Sequence, residues 1–214
     1  MSRLAALALA LALVLASGVL GSCALTHDGV WQQETLARST AAADIASYRV
    51  QRVAVVPFTG RDVTPERALD LEAALAVELA PRVTFELVQL SASDLAEIPR
   101  AEPYRRGWYS ASTLLEVSRR FSVDAILIGT VRELSQYPPL RLSTQVELVS
   151  CETGQVAWSS SIELDTRDNR VLRGIEAWHA YEHDSHDSPG DEALTMISPA
   201  ALARFAAREI ARSY

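Results

Sequence analysis

The sequence contains no lysine, and all 20 of its basic side chains are arginine. Against 27 acidic residues they leave a formal net charge of −7. The arginines are scattered and form no basic run. The electrostatic footprint needed to grip a nucleic-acid backbone is therefore missing, and no nucleic-acid partner is expected. Cysteine is nearly absent, with Cys23 and Cys151 the two in the chain. No G-x-S-x-G, Walker loop, G-x-G-x-x-G or H-E-x-x-H occurs. Asp94, Glu97 and Glu102 are acidic, but nothing marks them as a paired-carboxylate site. These absences point away from an enzyme. There are no internal repeats and no low-complexity segment beyond the first residues.

What is present starts at the N-terminus. Arg3 is followed by "LAALALALALVLASGVL", Leu4 to Leu20, which carries no charge. A spanning helix needs about 20 apolar residues. This run is shorter and ends in small residues, the layout of a secretory signal peptide. Leu20, Gly21, Ser22 and Cys23 resemble a bacterial lipobox, an aliphatic residue and two small ones before a cysteine. The resemblance implies cleavage before Cys23 and a diacylglycerol thioether on its sulfur. That covalent lipid is the only cofactor expected, and each buried acyl CH₂ adds about 0.8 kcal/mol of membrane affinity. The alternatives are an ordinary secretory peptide with an incidental cysteine, or a retained N-terminal helix. Ala24 follows the cysteine where an aspartate would favour inner-membrane retention. By resemblance to other lipoproteins, that implies the outer membrane, facing the periplasm. With Cys23 lipidated, Cys151 has no partner for an internal disulfide. It is then either a buried small hydrophobe or an exposed thiol.

Residues 1–22 are thus expected to be a signal peptide and 23–50 a lipid-anchored tether. Residues 51–214 are long enough for a single domain with one good core. Within the tether, "AADIASYRV" reads as a short helix or an edge element. "RVAVVPF" from Arg52 is a continuous apolar run closed by Pro57, as in a strand buried on both faces. Thr64-Pro65 reads as a cap and first helical residue. Ala68, Leu71, Leu75, Ala76 and Leu79 then share one helical face, and Pro81 ends the helix. "RVTFELVQL" alternates as a second strand. Residues 91–110 read as a loop with one helical turn. A short helix capped by Ser112 runs to Arg120, followed by the strand "AILIGTVREL". Two alternating strands then form a hairpin, one with Leu140, Leu142, Thr144, Val146 and Leu148 on a face, the other with Val156, Trp158, Ser160, Ile162 and Leu164. "CETG" is the turn, with Gly154 suited to positive φ. Residues 166–197 are polar, with a helix at Arg170–His183. Ser198-Pro199 begins a last helix with Leu202, Phe205, Ala206 and Ile210 inward. The fold class is α/β (α+β): a mixed sheet of about five strands in the order β-α-β-α-β-β-β-α, with helices packed on it, parallel at the start and antiparallel at the end.

"VAVVPFTG", "FSVDAILIGTVREL", "VELVSCETGQVAWSSSIELD" and "SPAALARFAAREIA" together resemble the envelope lipoprotein family of the curli secretion protein CsgG and the penicillin-binding-protein activator LpoB. Members carry a domain related to the N-terminal domain of TolB. The resemblance covers residues 50–165 and the C-terminal helix. It implies an α/β domain in the envelope and carries over no catalytic residue. The curli channel adds hairpins that build a membrane barrel. A barrel strand needs about 9–11 alternating residues, and none lies outside the core sheet, so no pore is expected.

Two clusters are candidates for binding. On a helix, His179, His183 and His186 would fall on one face at i, i+4 and i+7, with Asp187 near, a set that suits Zn²⁺ or Cu²⁺. Against this stand the poor helix formers Asp184, Ser185 and Ser188 and the break at Pro189-Gly190, which describe a solvated loop. Tyr104, Arg105, Arg106, Trp108 and Tyr109 are residue types enriched at protein contacts; alternatively Trp108 covers the core beneath its loop. The functional expectation is a non-enzymatic, lipid-anchored envelope protein. Its domain binds another envelope protein or forms a homo-oligomer, supporting secretion or cell-wall synthesis. A metal-binding or metal-sensing lipoprotein using the histidines is the alternative.

Overall fold

The structure is a computed structural model, and it describes residues 34–45, 48–60, 63–96, 98, 110–182 and 191–214. In chain order the elements are β1 (Arg38–Ala41), β2 (Arg52–Val55), β3 (Thr59–Gly60), α1 (Pro65–Leu79), β4 (Glu86–Gln89), α2 (Ala92–Ala96) and α3 (Ala111–Phe121). They continue as β5 (Ala125–Leu134), β6 (Arg141–Ser150), β7 (Val156–Asp165), α4 (Asn169–Glu182), α5 (Asp191–Ile197) and α6 (Pro199–Arg212). A single mixed sheet has the order β1-β7-β6-β5-β2-β4, with β3 also paired to β5. β2 runs parallel to β4 and β5, while β5, β6, β7 and β1 are successively antiparallel. This is the expected fold class, with parallel pairing early and antiparallel pairing late.

The sheet has seven strands rather than about five. The two additions are β3, two residues long, and β1, all of whose residues are exposed. β1 belongs to the segment expected to be a tether, just ahead of the stretch read as a short helix or edge element; the sheet recruits it by pairing Arg38–Ala41 with Trp158–Ser161.

Alternation along the strands sorts side chains to two faces. Ala54, Val56, Ile126, Ile128 and Val149 pack with Leu95 of α2 and with Leu114 and Val117 of α3. On the opposite face α6 lies on β6 and β7 and packs against α1. α1 starts at Pro65, whose fixed φ suits the first helical turn. Its buried stripe is Ala68, Leu71, Glu72, Leu75 and Leu79. Pro81 lies in a 3-10 turn, Ala80–Arg82, that extends the helix before the chain turns. α3 is capped two residues earlier than expected: Ser110, not Ser112, accepts the Thr113 N–H at 3.1 Å. The polar stretch 166–197 contains α4 and, unexpectedly, α5.

In the hairpin, Leu142, Thr144, Val146 and Leu148 are buried as expected, as are Trp158, Ser160, Ile162 and Leu164. Val156 is 43% exposed instead of sharing their face. The register shifts between Leu148 and Val149, opposite Trp158 and Val156, so Ala157 is the extra residue of a bulge. A bulge of one residue reverses the alternation beyond it. Gly154 takes φ +70° in the turn.

Candidate interaction surface

α1 carries a second helical stripe beside its buried one. Asp70, Ala73, Ala74, Val77 and Glu78 follow the i, i+3, i+4, i+7, i+8 spacing of one face. These residues form one wall of a groove of about 410 Å³, and Ser198, Ala200, Ala201 and Arg204 of the α6 end form the other. The small alanines leave the groove open to its floor. A smaller cavity of about 180 Å³ shares Asp70, Ser198 and Ala200 and adds Arg67, Leu134, Pro199 and Ala203. Val77 is 72% exposed on the rim, and Ile197, immediately before Ser198, is 55% exposed.

The charges on the walls are unevenly satisfied. At one end Arg208 Nη1 lies 4.0 Å from Glu78 Oε2, and its guanidinium stacks 5.2 Å from the Tyr181 ring. Asp70 and Arg204 line the same groove, yet neither forms an ion pair or hydrogen bond among the described residues. Exposed apolar side chains framed by unpaired charges of both signs form the kind of surface that proteins use to bind one another.

The N-terminal segment is fastened to the same helix. Glu209, 2% exposed, accepts the Leu36 N–H at 2.7 Å through Oε2. The Glu209 carbonyl accepts the Thr35 hydroxyl at 2.9 Å, and Arg212 donates to Oε1 at 2.6 Å. Nearby, the Ser39 hydroxyl donates to the Ser213 carbonyl at 2.8 Å.

Of the residues singled out from sequence, Leu20, Gly21, Ser22 and Cys23 lie outside the described residues, as do Tyr104, Arg105, Arg106, Trp108 and Tyr109. His183 and His186 also lie outside them. His179 is buried on α4, with Nε2 2.8 Å from the Thr195 hydroxyl of α5 and its ring 4.7 Å from that of Trp178. It therefore joins two helices in the interior. Among the described residues no three His, Cys, Asp or Glu side chains gather as metal ligands, and no helix is long and apolar enough to cross a membrane. Cys151 is buried in the core beside Val149 and Val123. Burial, and then the negative charge of Asp124, push its thiol up to about 11. At neutral pH it is protonated and behaves as a small hydrophobe.

No family model matches the sequence, and no curated protein matches it. Solved structures of similar shape include PelC from Paraburkholderia phytofirmans, a dodecamer, with 17% identity over 79% of this chain and 95% of that one and a TM-score of 0.44. Lipoprotein GNA1162 from Neisseria meningitidis matches at 19% identity over 64% of this chain and 99% of that one, with a TM-score of 0.42. The C-terminal domain of LpoB from Escherichia coli matches at 17% identity over 56% of this chain and 92% of that one, with a TM-score of 0.38. At these identities and scores the likeness carries no argument about function.

Proposed function

We propose that this chain is a non-enzymatic, lipid-anchored protein of the cell envelope. Its periplasmic α/β domain binds another envelope protein or a copy of itself, in support of secretion or cell-wall synthesis. The groove between α1 and α6 carries this reading, because its lining exposes Val77 at 72%, and Ile197, next in sequence to the lining residue Ser198, is 55% exposed. Leaving such side chains in water forgoes about 25 cal/mol for each Å² that a partner would cover. The lipobox-like Leu20-Gly21-Ser22-Cys23 supports attachment through Cys23. The motif resemblance to the CsgG and LpoB lipoproteins supports an envelope location, with the outer membrane as its finer form.

Photo-crosslinking in living cells tests the groove. A photoreactive residue replacing Val77 in the full chain should give discrete, light-dependent adducts, and Ala74→Arg in the same chain should remove them. The control is the same probe at Tyr137, which is 79% exposed and outside the residues that line the groove. Equal crosslinking from both positions would contradict the reading.

A further inference from the structure

We infer that residues 35–41 are a fastened strap that shortens the tether, so that the domain meets its partner close to the membrane holding its anchor. The inference rests on the reading of Cys23 as the lipid site and of the domain as a binding module, and it names where the partner stands. Three sets of contacts fasten the strap. β1 pairs with β7 over Arg38–Ala41, and the Ala42 N–H extends the ladder to the Ala157 carbonyl at 2.8 Å. Ahead of β1, the Leu36 N–H donates to the Glu209 carboxylate at 2.7 Å and the Thr35 hydroxyl to the Glu209 carbonyl at 2.9 Å. The Leu36 side chain lies in a notch left by Gly174, where an added β-carbon would sit 3.1 Å from Leu36 Cδ1. All four residues of β1 are exposed, so burial of its own side chains does not hold it. A buried carboxylate is costly unless its oxygens are bonded, and Glu209, 2% exposed, commits one of them to this segment. A chain whose task was to reach outwards would gain nothing from that arrangement.

The strap sets the reach. Unfastened, the 27 residues 24–50 would span at most about 95 Å. Fastened, the 11 residues 24–34 remain between Cys23 and Thr35, and a chain of that length spans at most about 40 Å. A compact domain of the length of residues 34–214 has a radius of gyration of about 16 Å, hence a diameter of about 40 Å. Its far side therefore stays within about 80 Å of the anchoring bilayer. The bilayer itself is a poor partner. Anionic lipid surfaces attract polybasic segments, and this chain has no lysine, no basic run and a net negative charge. The partner is thus a protein whose contact face stands within that layer.

Locking the strap tests this. Ser39 and Ser160 face each other across β1 and β7, and both hydroxyls meet Ser213 at 2.8 Å. Directly opposed residues of an antiparallel pair have Cα atoms about 4.5–5.5 Å apart, a distance that a disulfide spans. Ser39→Cys with Ser160→Cys in the full chain therefore fixes the strap covalently, and the mass before and after reduction confirms the bridge. With the photoreactive residue at Val77 in living cells, the locked chain should give the same adducts as the unlocked one, in equal yield. Adducts that vanish on locking and return on reduction would show that the partner is reached with the strap open, and would overturn the inference. A second measurement reads the reach itself. The purified, lipidated full chain is placed on a supported bilayer, and neutron reflectometry locates the outer edge of the protein layer. Wild-type and locked profiles should coincide and end within about 80 Å of the bilayer surface. Thr40→Pro, which cannot donate to the ladder, combined with Glu209→Ala should move the edge outwards. A wild-type edge beyond that of the locked chain, or a released variant whose edge does not move, overturns the strap. Absence of adducts from every version would count against the binding reading, and the reflectometry profiles would still decide the reach.

Discussion

Phe58 lies against the bare backbone of Gly129. A β-carbon built on Gly129 would overlap the Phe58 ring. Phe58 ends the first apolar run and Gly129 sits mid-strand in β5, so the contact locks the loop after β2 onto the sheet. The Phe58 side chain is 4% exposed. Gly129→Ala should therefore destabilise by about 1–3 kcal/mol, the usual cost of overpacking. Urea denaturation of the purified protein measures it. An unchanged midpoint would show that Phe58 has room to move aside.

Glu209 holds the N-terminal segment by hydrogen bonds that β1 alone does not supply. Glu209→Ala leaves the Leu36 N–H without its acceptor and removes the contact between Glu209 and Arg212. The expected loss is about 1–3 kcal/mol. It should be concentrated locally, with faster amide exchange at Leu36 and easier tryptic cleavage after Arg38. Uniform acceleration across the domain, with no excess at residues 35–41, would contradict the latch.

Glu72 introduces a pH dependence. It is 2% exposed on α1, and burial raises its carboxyl above the ordinary 4.5, partly offset by the Phe58 N–H donated to it at 3.2 Å. A folded-state pKa above the unfolded one means that folding favours the neutral acid. Stability from this group is then full at low pH and is lost as pH rises through the raised value. Glu72→Gln keeps an acceptor without the charge. Its melting temperature should exceed that of wild type at pH 7, and the gap should close as pH falls below about 4.5. Thermal melts from pH 4 to 8 test this, and a gap that widens towards low pH would reverse the sign.

The legible parts of this fold were those with strong periodicity. β5, β6 and β7 run ten residues each, long enough for alternation to declare both strand and face. Trp158 lies on the alternating face and is 2% exposed, with its ring 5.2 Å from Tyr214. β1 was hidden because Arg38–Ala41 faces water throughout, so no alternation marks it. Glu209 reads as a solvated helix charge, and only the folded chain brings residues 35–37 to it. The second stripe of α1 was written in Ala73, Ala74 and Val77. Alanine is compatible with either face, and the leucine stripe is the stronger periodic signal. His179 carries a contact that helical spacing does not reveal: its Nε2 meets the Thr195 hydroxyl of α5, sixteen residues away.

The attachment at Cys23 is the claim on which the account of this protein as an envelope lipoprotein depends. Radiolabelled fatty acid fed to cells producing the full chain, followed by membrane fractionation, measures it directly. The wild-type protein should carry label and sediment with membranes, and Cys23→Ala should lose both the label and the sedimentation. A Cys23→Ala protein that still pellets with membranes, or a wild-type protein without label, would contradict the account and favour a retained N-terminal helix.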